Sequence, residues 1–190
     1  MSEHTKYRTI VADPPWSYKE GLWQRSKSRA KSHYPTLSVQ EISQLPVCDI
    51  AADDAYLWLW ATNRHLLTGC AAVVMNAWGF RPLTVLTWDK VSLGLGHYLR
   101  NITEHVAFGV RGSPGGFAKR QPVMPTLFRE KRGKHSAKPD TLYDMIHDVC
   151  YGPYLELFAR KKRYGWDSWG EDVGDPLDIG FNPRRWVNDV

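Results

Sequence analysis

The sequence predicts an α/β fold: a mostly parallel sheet with helices on both faces. Three observations predict it. Segments of strand character alternate with segments of helical character, the order expected when a helix carries the chain back to a parallel neighbour. The strand candidates include continuously apolar runs such as Ala55 to Ala61 (AYLWLWA), the pattern of a strand buried on both faces. Finally, 190 residues without an internal repeat or interdomain linker fit one domain over 1–190, long enough to bury a sizeable core.

Tyr7 to Ala12 (YRTIVA), rich in β-branched and aromatic residues, is the first strand. Residues 17–36 lack apolar periodicity and are long enough for a lid or binding loop. Ser38 and Glu41 form a capping box that opens a short helix ending at Pro46. After the strand 55–61, Thr62 or Asn63 caps a helix over 64–77, with Leu66, Leu67, Ala71, Val74 and Trp78 at helical spacing up to Gly79. Pro82 to Trp88 is the third strand, and Asp89-Lys90 leads into a glycine-punctuated loop ending at Asn101. Glu104 to Val110 is the fourth strand; residues 111–125, rich in glycine and proline, are irregular, and Thr126 to Glu130 is a brief strand candidate. Pro139 and Asp140 start a helix over Thr141 to Cys150, and Tyr154 to Phe158 is a fifth strand. The alternation is Rossmann-like, yet no Gly-x-Gly-x-x-Gly turn follows the first strand, which disfavours NAD.

The net charge of +5 and pI near 9.1 are modest, but the cations are clustered. Lys19, Arg25, Lys27, Arg29 and Lys31 crowd one loop against Glu20, and Lys119, Arg120, Arg129, Lys131, Arg132, Lys134 and Lys138 follow with Glu130 alone opposing. A single basic run is usually a solvated face, whereas two such runs favour a phosphate backbone as partner. Three scattered cysteines, Cys48, Cys70 and Cys150, imply core packing in a reducing compartment and no disulfide framework. Seven histidines lack paired i, i+4 spacing, so no metal is expected. Without a membrane-length apolar run or a leader, the expected location is cytoplasmic.

The stretch of greatest chemical interest is Asp13-Pro14-Pro15-Trp16, at the carboxyl end of the first strand, where open α/β sheets bind ligands. Pro14 pushes Asp13 out of the helical region, and consecutive prolines hold the backbone extended without amide donors. Asp13 then offers a carboxylate, Pro14 a backbone carbonyl and Trp16 a flat ring. These suit a planar amine such as the exocyclic nitrogen of an adenine flipped from a strand. Taken alone, Asp-Pro-Pro is equally a rigid turn.

Further pieces occur in a telling order: Tyr34-Pro35-Thr36-Leu37, Trp58-Leu59-Trp60, Trp88-Asp89-Lys90, Glu104-His105, Lys138-Pro139-Asp140, Leu155-Glu156-Leu157-Phe158-Ala159-Arg160 and Gly165-Trp166-Asp167-Ser168-Trp169-Gly170. With the first stretch they resemble the bacterial and phage relatives of the catalytic subunit of the eukaryotic messenger-RNA adenosine methyltransferase, over about Tyr7 to Asp172. The resemblance implies an S-adenosylmethionine-dependent methyltransferase fold with permuted order, catalytic motif before cofactor motif. It implies Asp13, Pro14, Pro15 and Trp16 as the catalytic tetrad. The implied cofactor contacts are Asp13, Lys138, Glu156, Phe158, Arg160, Lys162, Arg163, Glu171 and Asp172, with Lys138 reaching either the methionine end or the target base. The implied substrate set is Trp16, Tyr34, Asn101 and Glu104, with Arg25, Lys27, Arg29 and Lys31 from one gate loop and Arg129, Arg132 and Lys134 from the other. Relatives commonly continue Gly-Asn-Glu or Gly-Asn-Gln where this chain has Gly170-Glu171-Asp172, although carboxylates also accept from ribose hydroxyls.

The expected reaction is direct in-line methyl transfer to the N6 amine of adenine in nucleic acid, DNA ahead of RNA. Similar ledges present cytosine amines and protein glutamine amides to the same cofactor, and a catalytically silent nucleic-acid-binding partner subunit is the rival of another class. Assembly as a homodimer or heterodimer stays open. Residues 173–190 lie beyond the resemblance.

Overall fold

The computed structural model describes residues 5–17, 36–94, 98–115, 124–133, 138–170 and 173. Seven strands form one sheet in the order β5-β3-β4-β2-β1-β6-β7. β1 (Tyr7–Ala12) lies inside it, parallel to β2 (Ala51–Ala61) on one side and to β6 (Tyr154–Leu157) on the other. β7 (Trp166–Trp169) continues parallel to β6, and β5 (Leu127–Arg129) runs parallel to β3 (Arg81–Asp89). β4 (Thr103–Arg111) is antiparallel to both β2 and β3, so it alone runs against the rest. The chain leaves β1 towards β2 and later returns on its other side as β6. The carboxyl end of β1 is therefore the crevice where an open sheet takes a ligand.

Two apolar clusters cover the sheet. One face buries Ile10, Leu57 and Leu59 with Ile42, Val74, Met75 and Trp78 from the helical segments between β1 and β3: α1 (Val39–Ser43), α2 (Val47–Ile50), α3 (Asn63–Leu67) and α4 (Cys70–Ala77). The other buries Val11, Trp58, Trp60 and Trp88 beneath Leu142, Ile146 and Val149 of α5 (Asp140–Val149). Helices on both faces and a mostly parallel sheet match the predicted class.

Four local expectations are corrected. The continuous helix over 64–77 is broken: α3 ends at Leu67 with Thr68 as its C-cap, and Gly69 adopts φ +76 before α4 begins. Leu67 consequently points to solvent, 90% exposed, instead of joining the core stripe. Trp166–Trp169, read only as a motif, is a strand, because four residues are too few for periodicity to register. Of the cysteines only Cys150 is buried, Cys48 being exposed and Cys70 intermediate. The capping box is present as expected, Ser38 Oγ accepting from the Glu41 amide and the Glu41 carboxylate from the Ser38 amide. Among the described residues, no helix is long and apolar enough to cross a membrane.

Candidate active site

The carboxyl ends of the parallel strands meet at one edge of the sheet, and β4, running the other way, delivers its first residues to that same edge. Asp13 follows β1, Lys90 follows β3, Glu104 is the second residue of β4, and Lys138 precedes α5. They form one charge network. Lys138 Nζ lies 2.9 Å from Asp13 Oδ1 and 3.1 Å from Glu104 Oε2, while Lys90 Nζ lies 3.3 Å from Glu104 Oε1. Lys138 also stands 4.9 Å from the Trp60 ring centroid, within cation–π range.

Burial disfavours the charge on Lys138, but the Asp13 and Glu104 carboxylates outweigh it and raise the ammonium above the ordinary lysine range. Burial likewise works against ionised Glu104, and Lys138 and Lys90 prevail, holding its carboxyl below the usual glutamate value. The Asp13 side chain at this edge is 16% exposed. That is enough exposure for a ligand to reach it.

The ledge beyond Asp13 is stiff for identifiable reasons. The Asp13 amide donates to Leu157 O of β6 at 3.3 Å, and the Trp16 amide donates to Pro14 O at 2.9 Å. The Leu37 amide donates to Pro15 O at 2.8 Å and the Ser17 amide to Leu37 O at 2.9 Å, pinning Trp16 beside Leu37. The Pro14 carbonyl keeps a second lone pair.

Trp16 departs from expectation. Its ring is 6% exposed, its Nε1 donates to Trp60 O at 2.8 Å, and it stacks on His65 at 4.7 Å. The indole is a wedge holding the ledge on β2 and α3, not an open platform, because its large apolar area finds a buried partner there. His65, 3% exposed, has Nδ1 2.8 Å from Thr62 Oγ1.

The expected cofactor contacts divide. Phe158 lies at the end of β6 with φ +62, a conformation rare for a bulky residue, its ring edge-on to Trp169 at 5.4 Å. Gly170 packs so tightly there that an added Cβ would meet Ala159 O at 2.3 Å. Arg160 follows on that edge. Glu156 and Arg163 are committed elsewhere. Glu156 is 6% exposed and faces α5, accepting from Tyr143 Oη at 2.6 Å and from Arg163 Nε at 3.1 Å. Burial raises its carboxyl pKa against these two donors. Lys162 lines a pocket of about 430 Å³ beside α5, with His147, Tyr164 and Trp166. The strand alternation explains this: residue 156 faces the side opposite to 155 and 157, which are buried with the other cluster.

Of the substrate set, Glu104 joins the charge network, whereas Asn101 and Arg132 lie exposed on loops. Arg129, at the end of β5, pairs with Asp89 at 2.8 Å. Arg25, Lys27, Arg29, Lys31, Tyr34, Lys134, Glu171 and Asp172 lie outside the described residues. Sequence reasoning assigned no role to Lys90, Trp60, His65 or Tyr143. Trp60 and Lys90 stood inside quoted motifs, which was their only signal; His65 and Tyr143 had none.

The family model for MT-A70 matches residues 7–172. The chain is 35% identical over 191 residues to the Type II methyltransferase M.MunI of a Mycoplasma species, spanning 90% of this chain and 79% of that one. It is 29% identical over 164 residues to the human N(6)-adenosine-methyltransferase catalytic subunit METTL3, spanning 82% of this chain but 26% of that longer protein. To the human N(6)-adenine-specific methyltransferase METTL4 it is 27% identical over 185 residues, 88% of this chain and 37% of that one. The family match and these relatives define a methyltransferase that depends on S-adenosylmethionine. The chain belongs to the MT-A70 family.

The donor set fits that cofactor. Its amino-acid end carries an ammonium and a carboxylate, and acids interleaved with lysines at about 3 Å can take up both charges.

Proposed function

We propose that this chain methylates the exocyclic N6 amine of adenine in nucleic acid, with Asp13 to Trp16 as its catalytic ledge. The carrying observation is the Asp13 carboxylate at the end of β1, partly exposed and paired with Lys138 at 2.9 Å. Asp13 and the second lone pair of the Pro14 carbonyl accept from the two amine hydrogens, which favours the pyramidal geometry in which the nitrogen lone pair is available. Lys138 and Asp13 would hold the amino-acid end of S-adenosylmethionine, and Phe158 and Arg160 would border its nucleoside end. When bound, the cofactor supplies an electrophilic methyl carbon on a sulfonium. The protein's work is to bring nitrogen and carbon to about 3–3.5 Å and to exclude misaligned approaches. The amine's surplus proton leaves to Asp13 or to water.

METTL3 and METTL4 act on adenosine and adenine by their descriptions, which supports the N6 amine over cytosine. DNA is placed ahead of RNA because, of the relatives named, the one matched over most of its own length is a bacterial type II methyltransferase. The cations Arg129, Lys131 and Arg132 at the β5 end suit the phosphate backbone.

Incubating the protein with S-adenosylmethionine and either DNA or RNA, then digesting to nucleosides for mass spectrometry, tests base and polymer together. The expected product is N6-methyldeoxyadenosine, lost in Asp13→Ala with a fall of roughly 10³-fold or more. Methyl groups on cytosine, or undiminished turnover in Asp13→Ala, would refute the reading.

A further inference from the structure

We propose that Arg163 is a positioning residue that touches neither cofactor nor base and acts through Lys138. It links three elements. Its Nε donates to Glu156 Oε2 of β6 at 3.1 Å, its Nη1 donates to Asp140 Oδ1 at the start of α5, and its guanidinium carbon lies 3.4 Å from the Tyr143 ring centroid. Tyr143 closes the loop by donating to Glu156 Oε1, and Lys161 Nζ braces Asp140 at 2.8 and 3.0 Å. Arg163 is 12% exposed and Glu156 8% by side chain, so water screens that pair little, whereas Asp140, 60% exposed, holds the solvent side of the cluster.

The cluster reaches the catalytic edge by two short routes. Asp140 is joined to Lys138 through Pro139, whose ring fixes φ at −65 at the helix start, so the backbone direction of Lys138 follows the seat of α5. Glu156 precedes Leu157, whose carbonyl accepts the Asp13 amide. Arg163 therefore ties the strand next to Asp13 to the helix that Lys138 precedes, and the 2.9 Å contact between Asp13 and Lys138 depends on that tie. A planar guanidinium that bridges two carboxylates over an aromatic ring suits the task, and lysine cannot reproduce it. The cofactor contact expected of Arg163 is thereby replaced by an indirect role.

The inference rests on the role proposed for Lys138, and a double-mutant cycle separates the two. Affinity for S-adenosylmethionine by calorimetry and kcat on the polymer are measured for wild type, Arg163→Lys, Lys138→Met and the double variant, well below the melting point of each. Arg163→Lys is expected to weaken whichever quantity Lys138→Met shifts, by about tenfold, the scale of coupling through a shared backbone shift. In the Lys138→Met background it should add less than about twofold. Asp140→Ala, which removes the acceptor at the helix start, should reproduce the effect and serves where Arg163→Lys folds poorly. Losses that multiply mean direct contact and overturn the proposal. So does a lowered melting point with affinity and kcat unchanged in Arg163→Lys. An inert Lys138→Met overturns the role of Lys138 and this inference with it, whereas a severe Lys138→Met beside an inert Arg163→Lys removes this inference alone.

Discussion

Replacing Lys138 by methionine keeps a side chain of similar length but deletes the charge over Trp60 and between two acids. In the native chain the ammonium stands 2.9 Å from Asp13 and 3.1 Å from Glu104, with those side chains 16% and 28% exposed. Breaking a buried pair by removing one partner costs about 3–5 kcal/mol, because the remaining charge stays desolvated. Two features reduce that here: Glu104 keeps Lys90 at 3.3 Å, and both acids are partly hydrated. A loss of about 2–3 kcal/mol at pH 7 follows, or roughly 5–10 °C in melting temperature for a chain of this length. Glu104 carries the pH signature. Its carboxyl is held below the usual glutamate value, so its contribution is complete above that value and lost as the pH falls through the lowered one. Lys138 has a raised pKa, so its own contribution persists throughout the acid range and fades only in strong alkali. Urea denaturation of both proteins at pH 7 and near pH 4 measures the gap, which should narrow on acidification. A gap under about 0.5 kcal/mol at pH 7, the scale of an exposed pair, or one that widens in acid, would refute the network as described.

Three other outcomes follow from the same geometry. Gly170→Ala places a methyl 2.3 Å from Ala159 O, and backbone cannot yield as a side chain can, so a loss of about 1–3 kcal/mol in urea stability is expected with weakened cofactor binding. An unchanged unfolding midpoint would show the close approach to be absent. His65→Ala removes the ring beneath Trp16 and should destabilise by about 1–3 kcal/mol, with His65→Phe recovering most of it because the stack survives. Equal losses in the two variants would place the value of His65 in its hydrogen bonds. Polymer affinity should fall steeply with salt, and charge reversal at Arg25, Lys27 and Arg29 should weaken it by at least about tenfold while calorimetric cofactor affinity holds. If both affinities are untouched, that loop is a solvated surface.

The local features were legible in the chain itself. YRTIVA ends as a strand where its apolar run ends, Asp-Pro-Pro stiffens by proline chemistry alone, and Lys-Pro-Asp marks the start of α5, because each depends on neighbours within a few residues. Direction, partner and face were not. Hydrophobic periodicity is the same read either way, so the sequence could not say that β4 runs against its neighbours. Yet that reversal is what carries Glu104 to Asp13 and Lys138. Nor does the identity of Trp16 reveal that His65, from an element 49 residues further on, covers its ring. Arg163 reads like a ligand contact until Glu156 and Asp140, 7 and 23 positions away, are seen to take its donors. Backbone conformation follows from short-range sterics, whereas a side chain's partner is chosen by whatever the folded sheet brings within about 3 Å, a distance the order of residues does not encode.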